Sequence, residues 1–263
     1  MSNEPAGVRT RPEPRGTRAH GHRLRALAAV LGGASRWSVI EPEVQGLKEV
    51  VGAGDVCFDV GAAYGMYSFA LARLVGSEGQ VHSFEPQRKP HGILATGALL
   101  TGVGNLRISR SALGGRSGRH RITVPTRFGL PIHGHAHVSD EVSNDPPAGL
   151  FRGSRSVVTD TFSVDQIRRS RGIPRVDFMK IDVEGYEPTV LDGAEKTLEE
   201  CRPVLLLEIE HRHLSRYGLE PSAFLSRLRK MGYQPHVWHS GNWIPVDGVT
   251  PRKRNYLFTA SRP

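Results

Sequence analysis

Long apolar runs are missing from this 263-residue chain: no stretch of about 18 uncharged apolar residues occurs, which excludes a membrane-spanning helix on length. The start has arginines but no apolar stretch behind them, so it does not read as a secretory signal. Cysteine is nearly absent. Cys57 and Cys201 each sit in an apolar run, and buried reduced thiols are the expected state, which together with the missing signal points to a soluble cytoplasmic protein. Lysine is also scarce, with 6 lysines against 29 arginines, a bias that a GC-rich genome produces without any ligand.

The formal charge is +9 and raises the question of a nucleic-acid partner. Residues 1–25 carry six arginines against Glu4 and Glu13, a net +4, which leaves an ordinary +5 for the rest. A second cluster, Arg107, Arg110, Arg116, Arg119, Arg121 and Arg127, has no acid between its ends. It keeps RNA in view as an alternative partner, although no aromatic-interleaved basic motif accompanies it. Nucleic acid and membrane are not the expected partners, and oligomeric state is not legible.

Residues 1–22 are rich in Arg, Pro and Gly and cannot fill a core, so a disordered basic tail is expected, followed by a helical segment over 23–52. Within that segment Leu24–Leu31 and Glu41–Val51 have helical patterns. From residue 53 to 263, short β-rich runs alternate with helical ones, the pattern of a mostly parallel sheet covered on both faces. Strands are expected at Val56–Val60, Gln80–Phe84, Leu106–Ser111, Val176–Val183, Val204–Ile209, Gln234–Trp238 and Asn255–Ala260. Helices are expected at Tyr64–Val75, Gln87–Leu100, Val164–Arg169, Pro188–Cys201 and Pro221–Met231, with Gly76, Gly102 and Gly232 closing three of them. His120–Pro125 is expected to form a hairpin with the strand before it. Residues 128–154 lack periodicity and suit an insertion or lid.

The run Val56-Cys57-Phe58-Asp59-Val60 meets Gly61 and then Gly65, just ahead of an amphipathic helix. A strand that stops at a glycine turn and feeds a helix brings backbone close to a ligand. The spacing G-x-x-x-G is not the dinucleotide fingerprint, and no Lys-Ser or Lys-Thr pair follows, so neither a pyrophosphate grip nor a P-loop is indicated. An acid at the base of the turn suits a cationic ammonium or sulfonium instead, and S-adenosylmethionine carries both. Glu85, followed by Pro86, ends the second strand 24 residues after Gly61, where a carboxylate can accept hydrogen bonds from ribose hydroxyls.

A third motif, Lys180-Ile181-Asp182-Val183-Glu184-Gly185, places two carboxylates at i and i+2 at the end of a strand, expected to face one cleft. The plainer alternative is a capping acid beside a Lys180 ion pair. Glu208 and Glu210 alternate in the same way on the next strand, and His211 lies just beyond. An imidazole there can take a proton from an attacking hydroxyl, with His213 a second version of the idea. A divalent ion on Asp182 and Glu208 is the alternative means of activating that hydroxyl. The His133-Gly134-His135-Ala136-His137 tract offers alternate imidazoles, but no cysteine pair or second metal motif accompanies it. A lid contacting the acceptor is the expected role.

In this order D-V-G-A-x-x-G-x-Y-S, S-F-E-P, D-F-x-K-I-D-V-E-G-x-E and R-P-V-L-L-L-E resemble the FkbM-type methyltransferases, over roughly Val44 to Ala260. The resemblance implies the class I α/β fold, a seven-stranded, mostly parallel sheet whose last strand is antiparallel, with helices on both faces. It further implies adenosylmethionine as cofactor and methyl transfer to oxygen on a sugar or other natural-product hydroxyl. RNA methylation, or cofactor binding without catalysis, are the competing functions. Carried onto this chain, the cofactor would contact Asp59, Gly61, Ala62, Tyr64, Gly65, Ser68, Glu85, Pro86 and Asp182. His211, Asp182 and Glu184 are the expected catalytic group. The family usually has Asn where this chain has Ala63, so one side-chain hydrogen bond at the turn is lost.

Overall fold

A computed structural model of the chain describes residues 41–127, 130–131, 137–139, 154–250 and 252–260. The expected basic tail, the Leu24–Leu31 helix, most of the 128–154 insertion, and His133 and His135 lie outside the described residues.

The main sheet is built from β1 (Val56–Val60), β2 (Gln80–Phe84), β3 (Leu106–Ser109), β9 (Phe178–Ile181), β10 (Val204–Glu208), β11 (Tyr233–His239), β12 (Asn242–Pro245) and β13 (Asn255–Ala260). Its order is β12-β11-β13-β10-β9-β1-β2-β3. The stretch β3-β2-β1-β9-β10 is parallel, and β13 enters antiparallel between β10 and β11. This is the expected class I α/β arrangement with one strand more. The additional β12 turns back on β11 through Ser240 (φ +48) and Gly241 (φ +85), both left-handed. Its four residues show little apolar alternation, so periodicity did not reveal it.

Side chains of successive strand residues leave on opposite faces, and the core is split accordingly. Phe58, Val60, Phe84, Met179, Ile181, Leu205 and Leu207 fill one layer. Cys57, Val81, Phe178 and Leu206 fill the other, both thiols of the chain being free. The central strands are buried on both faces, which is why they read as continuous apolar runs.

The helices are α1 (Glu43–Val50), α2 (Met66–Val75), α3 (Arg88–Thr101), α4 (Val164–Ser170), α5 (Glu187–Asp192), α6 (Glu195–Cys201), α7 (His211–Leu214) and α8 (Pro221–Lys230). The single helix expected over Pro188–Cys201 is broken in two. A side chain on Gly193 would lie 2.1 Å from the Gly114 carbonyl, and the Gly193 carbonyl accepts from the Asp165 amide instead of continuing a helix. Helix α1 lies against the β11–β12 ribbon: Trp243 Nε1 donates to the Gly46 carbonyl at 3.1 Å, and a Cβ on Gly46 would strike Trp238.

A second sheet contains β4 (Ala112–Leu113), β5 (Gly118–Arg127), β6 (Leu130–Pro131), β7 (His137–Ser139) and β8 (Ser154–Phe162). The hairpin expected between His120–Pro125 and the preceding strand does not form. Strand β5 instead pairs antiparallel with β8, from Gly118↔Thr161 to Pro125↔Ser154. Long-range pairing has displaced the local one, a choice that no local turn signal encodes. Among the described residues no helix is long and apolar enough to cross a membrane.

Candidate functional site

The turn after β1 is drawn tight against the end of β9. Gly61 has φ +81, and a Cβ there would fall 1.9 Å from the Asp182 carbonyl oxygen. The glycine of the first motif and the acid of the third are therefore demanded by one close approach of two strand ends. Gly61 and Ala62 amides both donate to the Phe84 carbonyl at 3.0 Å, the Ala63 amide donates to Glu85 Oε2 at 2.9 Å, and the Gly65 amide to the Ala62 carbonyl. With these four amides satisfied inside the protein, the turn is not the open nest that a phosphate uses.

Beneath the turn lies Asp59, fully buried. Its Oδ2 accepts from Ser68 Oγ at 2.6 Å, and Ser83 Oγ donates in turn to Ser68 Oγ at 2.8 Å. Its Oδ1 is buried with no hydrogen-bond partner among the described residues. Burial raises the Asp59 carboxyl pKa from its ordinary value, against the pull of the nearby Lys180. Glu85 is held at both ends, Oε1 accepting from the Gln87 amide at 2.8 Å and Oε2 from Ala63. Burial pushes it up to about 7 despite those bonds. Each Glu85 oxygen keeps a lone pair beyond the amide bond it accepts. Pro86 follows where β2 leaves the sheet, and Tyr64 and Gly65 lead into α2, which starts at Met66, two residues later than expected.

Lys180 is buried beside this group. Its Nζ pairs with Asp182 Oδ2 at 2.7 Å and stands 4.6 Å from the centre of the Tyr67 ring. Burial alone would raise the Asp182 carboxyl, but the Lys180 charge and hydrogen bond hold it below its usual range. The Tyr67 hydroxyl donates to Glu41 Oε2 at 2.6 Å, where Asn255 Nδ2 also donates, so the segment before α1 is fastened to the same end of the sheet.

Past Asp182 the expected geometry changes. Strand β9 ends at Ile181, so Asp182 and Glu184 do not share a strand face. Glu184 is left-handed at φ +58, and Gly185 follows at φ +101, where a Cβ would lie 2.5 Å from the His213 carbonyl oxygen. Glu187 Oε1 accepts both the Val183 and Gly185 amides and closes the turn. The turn, rather than strand alternation, swings Glu184 toward His213. A non-glycine residue held left-handed carries strain of about 1–2 kcal/mol, which such packing must overcome.

Glu184 Oε2 lies 3.1 Å from His213 Nε2, and Glu208 Oε2 lies 3.6 Å from His213 Nδ1. Burial, then the Asp182 and Glu187 charges, push Glu184 up to about 9. Burial, then the same Asp182 charge, raises Glu208 well above the carboxylate range, and it shares a hydrogen bond with Asp182. Glu210, expected beside Glu208, is drawn away to Arg254 at 2.9 Å and to Arg212. His211 stands apart as well: its side chain is 67% exposed and its Nε2 is 3.3 Å from Glu220. His213, only 2% exposed, is the imidazole among the acids. Its place was concealed in the sequence because the short helix α7, beginning at His211, carries residue 213 inward two positions later.

Asp59, Glu85, Asp182, Glu184, Glu208 and His213 fall within a recognised domain. The model of the Methyltransferase FkbM domain matches residues 59–235. The chain belongs to the FkbM methyltransferase family. It is similar to the 31-O-demethyl-FK506 methyltransferase FkbM of Streptomyces tacrolimicus, at 28% identity over 158 residues. That match takes in 54% of this chain and 60% of the relative, so the chain spans well under the full length of that FkbM protein. The FkbM methyltransferase of Methylobacillus flagellatus KT is a structural likeness at 17% identity and TM-score 0.49, covering 91% of this chain and 58% of that one. A SAM-dependent O-methyltransferase of Thermotoga maritima resembles it at 14% identity and TM-score 0.48, with 90% and 72% covered.

Proposed function

We propose that the chain binds S-adenosylmethionine at the Asp59–Gly65 turn and methylates a hydroxyl of a small molecule such as a sugar or natural product. The observation that carries this reading is the buried Asp59 Oδ1, an acceptor without a partner under a turn that offers no phosphate nest. The residues present fit this cofactor: a carboxylate suits a cationic head, and Glu85, clamped by two amides, has lone pairs left for a ribose diol. Gly61, Ala62, Tyr64 and Gly65 would wall the turn side, with Ser68 fixing Asp59, and Pro86 and Asp182 closing the ends of their strands. When bound, the cofactor supplies a methyl group on a sulfonium, already activated as a leaving group.

The protein's own work is placement and proton removal. Asp182, kept ionised by Lys180, and Glu184 at the turn orient the acceptor hydroxyl. Holding an attacking oxygen in line contributes roughly 7–11 kcal/mol in well-oriented systems. His211 is the accessible imidazole at this end of the sheet, and Glu220 steadies it to receive the hydroxyl proton. His213 is instead engaged between Glu184 and Glu208.

The test is transfer of an isotopically labelled methyl group from adenosylmethionine to a panel of sugars and polyketide alcohols. Label in an ether methyl group, lowered in Asp59→Asn at subsaturating adenosylmethionine and lowered about 10²–10⁴-fold in His211→Ala, is the expected result. Cofactor binding without transfer to any hydroxyl would overturn the proposed reaction, and full turnover by His211→Ala would remove that residue's role.

A further inference from the structure

Next to the Asp59–Gly65 turn, Glu184, Glu208 and His213 form a donor set, of which the methyl-transfer reading uses only Glu184. One ligand atom from each lies within 4.8 Å of the others. We infer that this cluster is a divalent metal site, with Glu184, Glu208 and His213 as protein ligands and a first-row ion of the manganese or zinc class as its occupant. The inference does not depend on the identity of the methyl acceptor.

Three independent features lead there. First, the set is mixed: an imidazole stands between two carboxylates, and one imidazole with two carboxylates is a donor combination that catalytic zinc and manganese centres use. Second, Glu184 Oε2 and Glu208 Oε2 are both shut off from solvent and face only the His213 ring at 3.1 and 3.6 Å. Two buried carboxylates sharing one imidazole leave a negative pocket that a cation would stabilise. Third, acids outnumber cations here, and Arg212, the arginine that reaches Glu184 and Glu208, is paired with Glu210. Asp182, Glu184, Glu187 and Glu208 converge here, while the one buried lysine, Lys180, is committed to Asp182.

The geometry needs only a small contraction. Donors at about 2.1 Å from a metal stand about 3 Å apart when adjacent and about 4.2 Å when opposite. One donor atom from each residue lies within 4.8 Å of the other two, within about an ångström of the spacing of opposite donors. Backbone packing supports the ligands as well. Gly185 lies directly against the His213 backbone, and Glu187 fixes the Val183 and Gly185 amides on either side of Glu184.

The experiment is titration of chelator-treated full-length protein with Mn²⁺, followed by loss of the free-ion electron paramagnetic resonance signal, with Zn²⁺ as competitor. One saturable Mn²⁺ site is expected, displaced by Zn²⁺ and weakened about tenfold or more in His213→Gln and in Glu208→Gln. Glu199→Gln, on the outer face of α6, is expected to bind as the wild type does. Circular dichroism and melting of each metal-free variant separate lost ligands from lost folding. No saturable Mn²⁺ binding by folded wild-type protein would overturn the inference, as would unchanged affinity in both folded ligand variants. Adenosylmethionine titration of the same preparation distinguishes this failure from failure of the methyltransferase reading.

Discussion

Ala63 sits in the Asp59–Gly65 turn with φ +45, in the left-handed region that an L residue enters at a cost of about 1–2 kcal/mol. Its amide is committed to Glu85, so the chain cannot relax to a negative φ without breaking that bond. Ala63→Gly removes the left-handed penalty. The more flexible unfolded chain of the glycine variant returns about 0.4–1 kcal/mol of it. The variant is therefore expected to gain about 0.5–1 kcal/mol, a rise in Tm of about 1–4 °C for a domain of this size. Urea unfolding followed by far-ultraviolet circular dichroism measures the difference. Ala63→Asn, which tolerates this conformation, should match or exceed the glycine variant. Loss of about 0.5–1 kcal/mol in Ala63→Gly, the usual cost of glycine for alanine in regular structure, would refute the argument from backbone strain.

Gly61→Ala should be far more damaging, because its Cβ would collide with the Asp182 carbonyl; a loss of about 2–4 kcal/mol in chemical denaturation is expected. Glu85 has a folded pKa of about 7, above its unfolded value, so the folded state binds the extra proton between about pH 4.5 and 7. Its contribution to stability is therefore present below that window and is lost as pH rises through it, on the order of 3 kcal/mol. Glu85→Gln should flatten that slope in stability-against-pH measurements, and an unchanged slope would refute the assignment. Trp243→Phe removes the donor to the Gly46 carbonyl and should cost about 1 kcal/mol, read as a lower denaturation midpoint.

The parallel strands and the two acidic strand ends were legible because their sequence signals are local. Apolar runs buried on both faces mark β1, β9 and β10, and the glycines after β1 and β9, Gly61 and Gly185, are required by close backbone approaches. Strand β12, the pairing of β5 with β8, and the break at Gly193 depend on partners far along the chain, and no window of sequence contains them. The same applies within the site. Alternation along a strand placed Asp182 with Glu184 and Glu208 with Glu210, but both strands end before the second acid of each pair. The left-handed turn at Glu184 and the helix start at His211 then decide which side chains meet, bringing His213 inward and leaving His211 at the surface. In the Asp59–Gly65 turn, Asn in place of Ala63 would have advertised the left-handed residue; alanine conceals it.

Calorimetric titration of the wild-type protein and Asp59→Asn with S-adenosylmethionine tests the central claim most directly. One saturable site in the wild type, weakened about tenfold or more in a folded Asp59→Asn protein, is the expected result, since a charged acceptor contributes roughly 1.5–3 kcal/mol. No binding to the folded wild-type chain, or equal affinity in the two proteins, would contradict it.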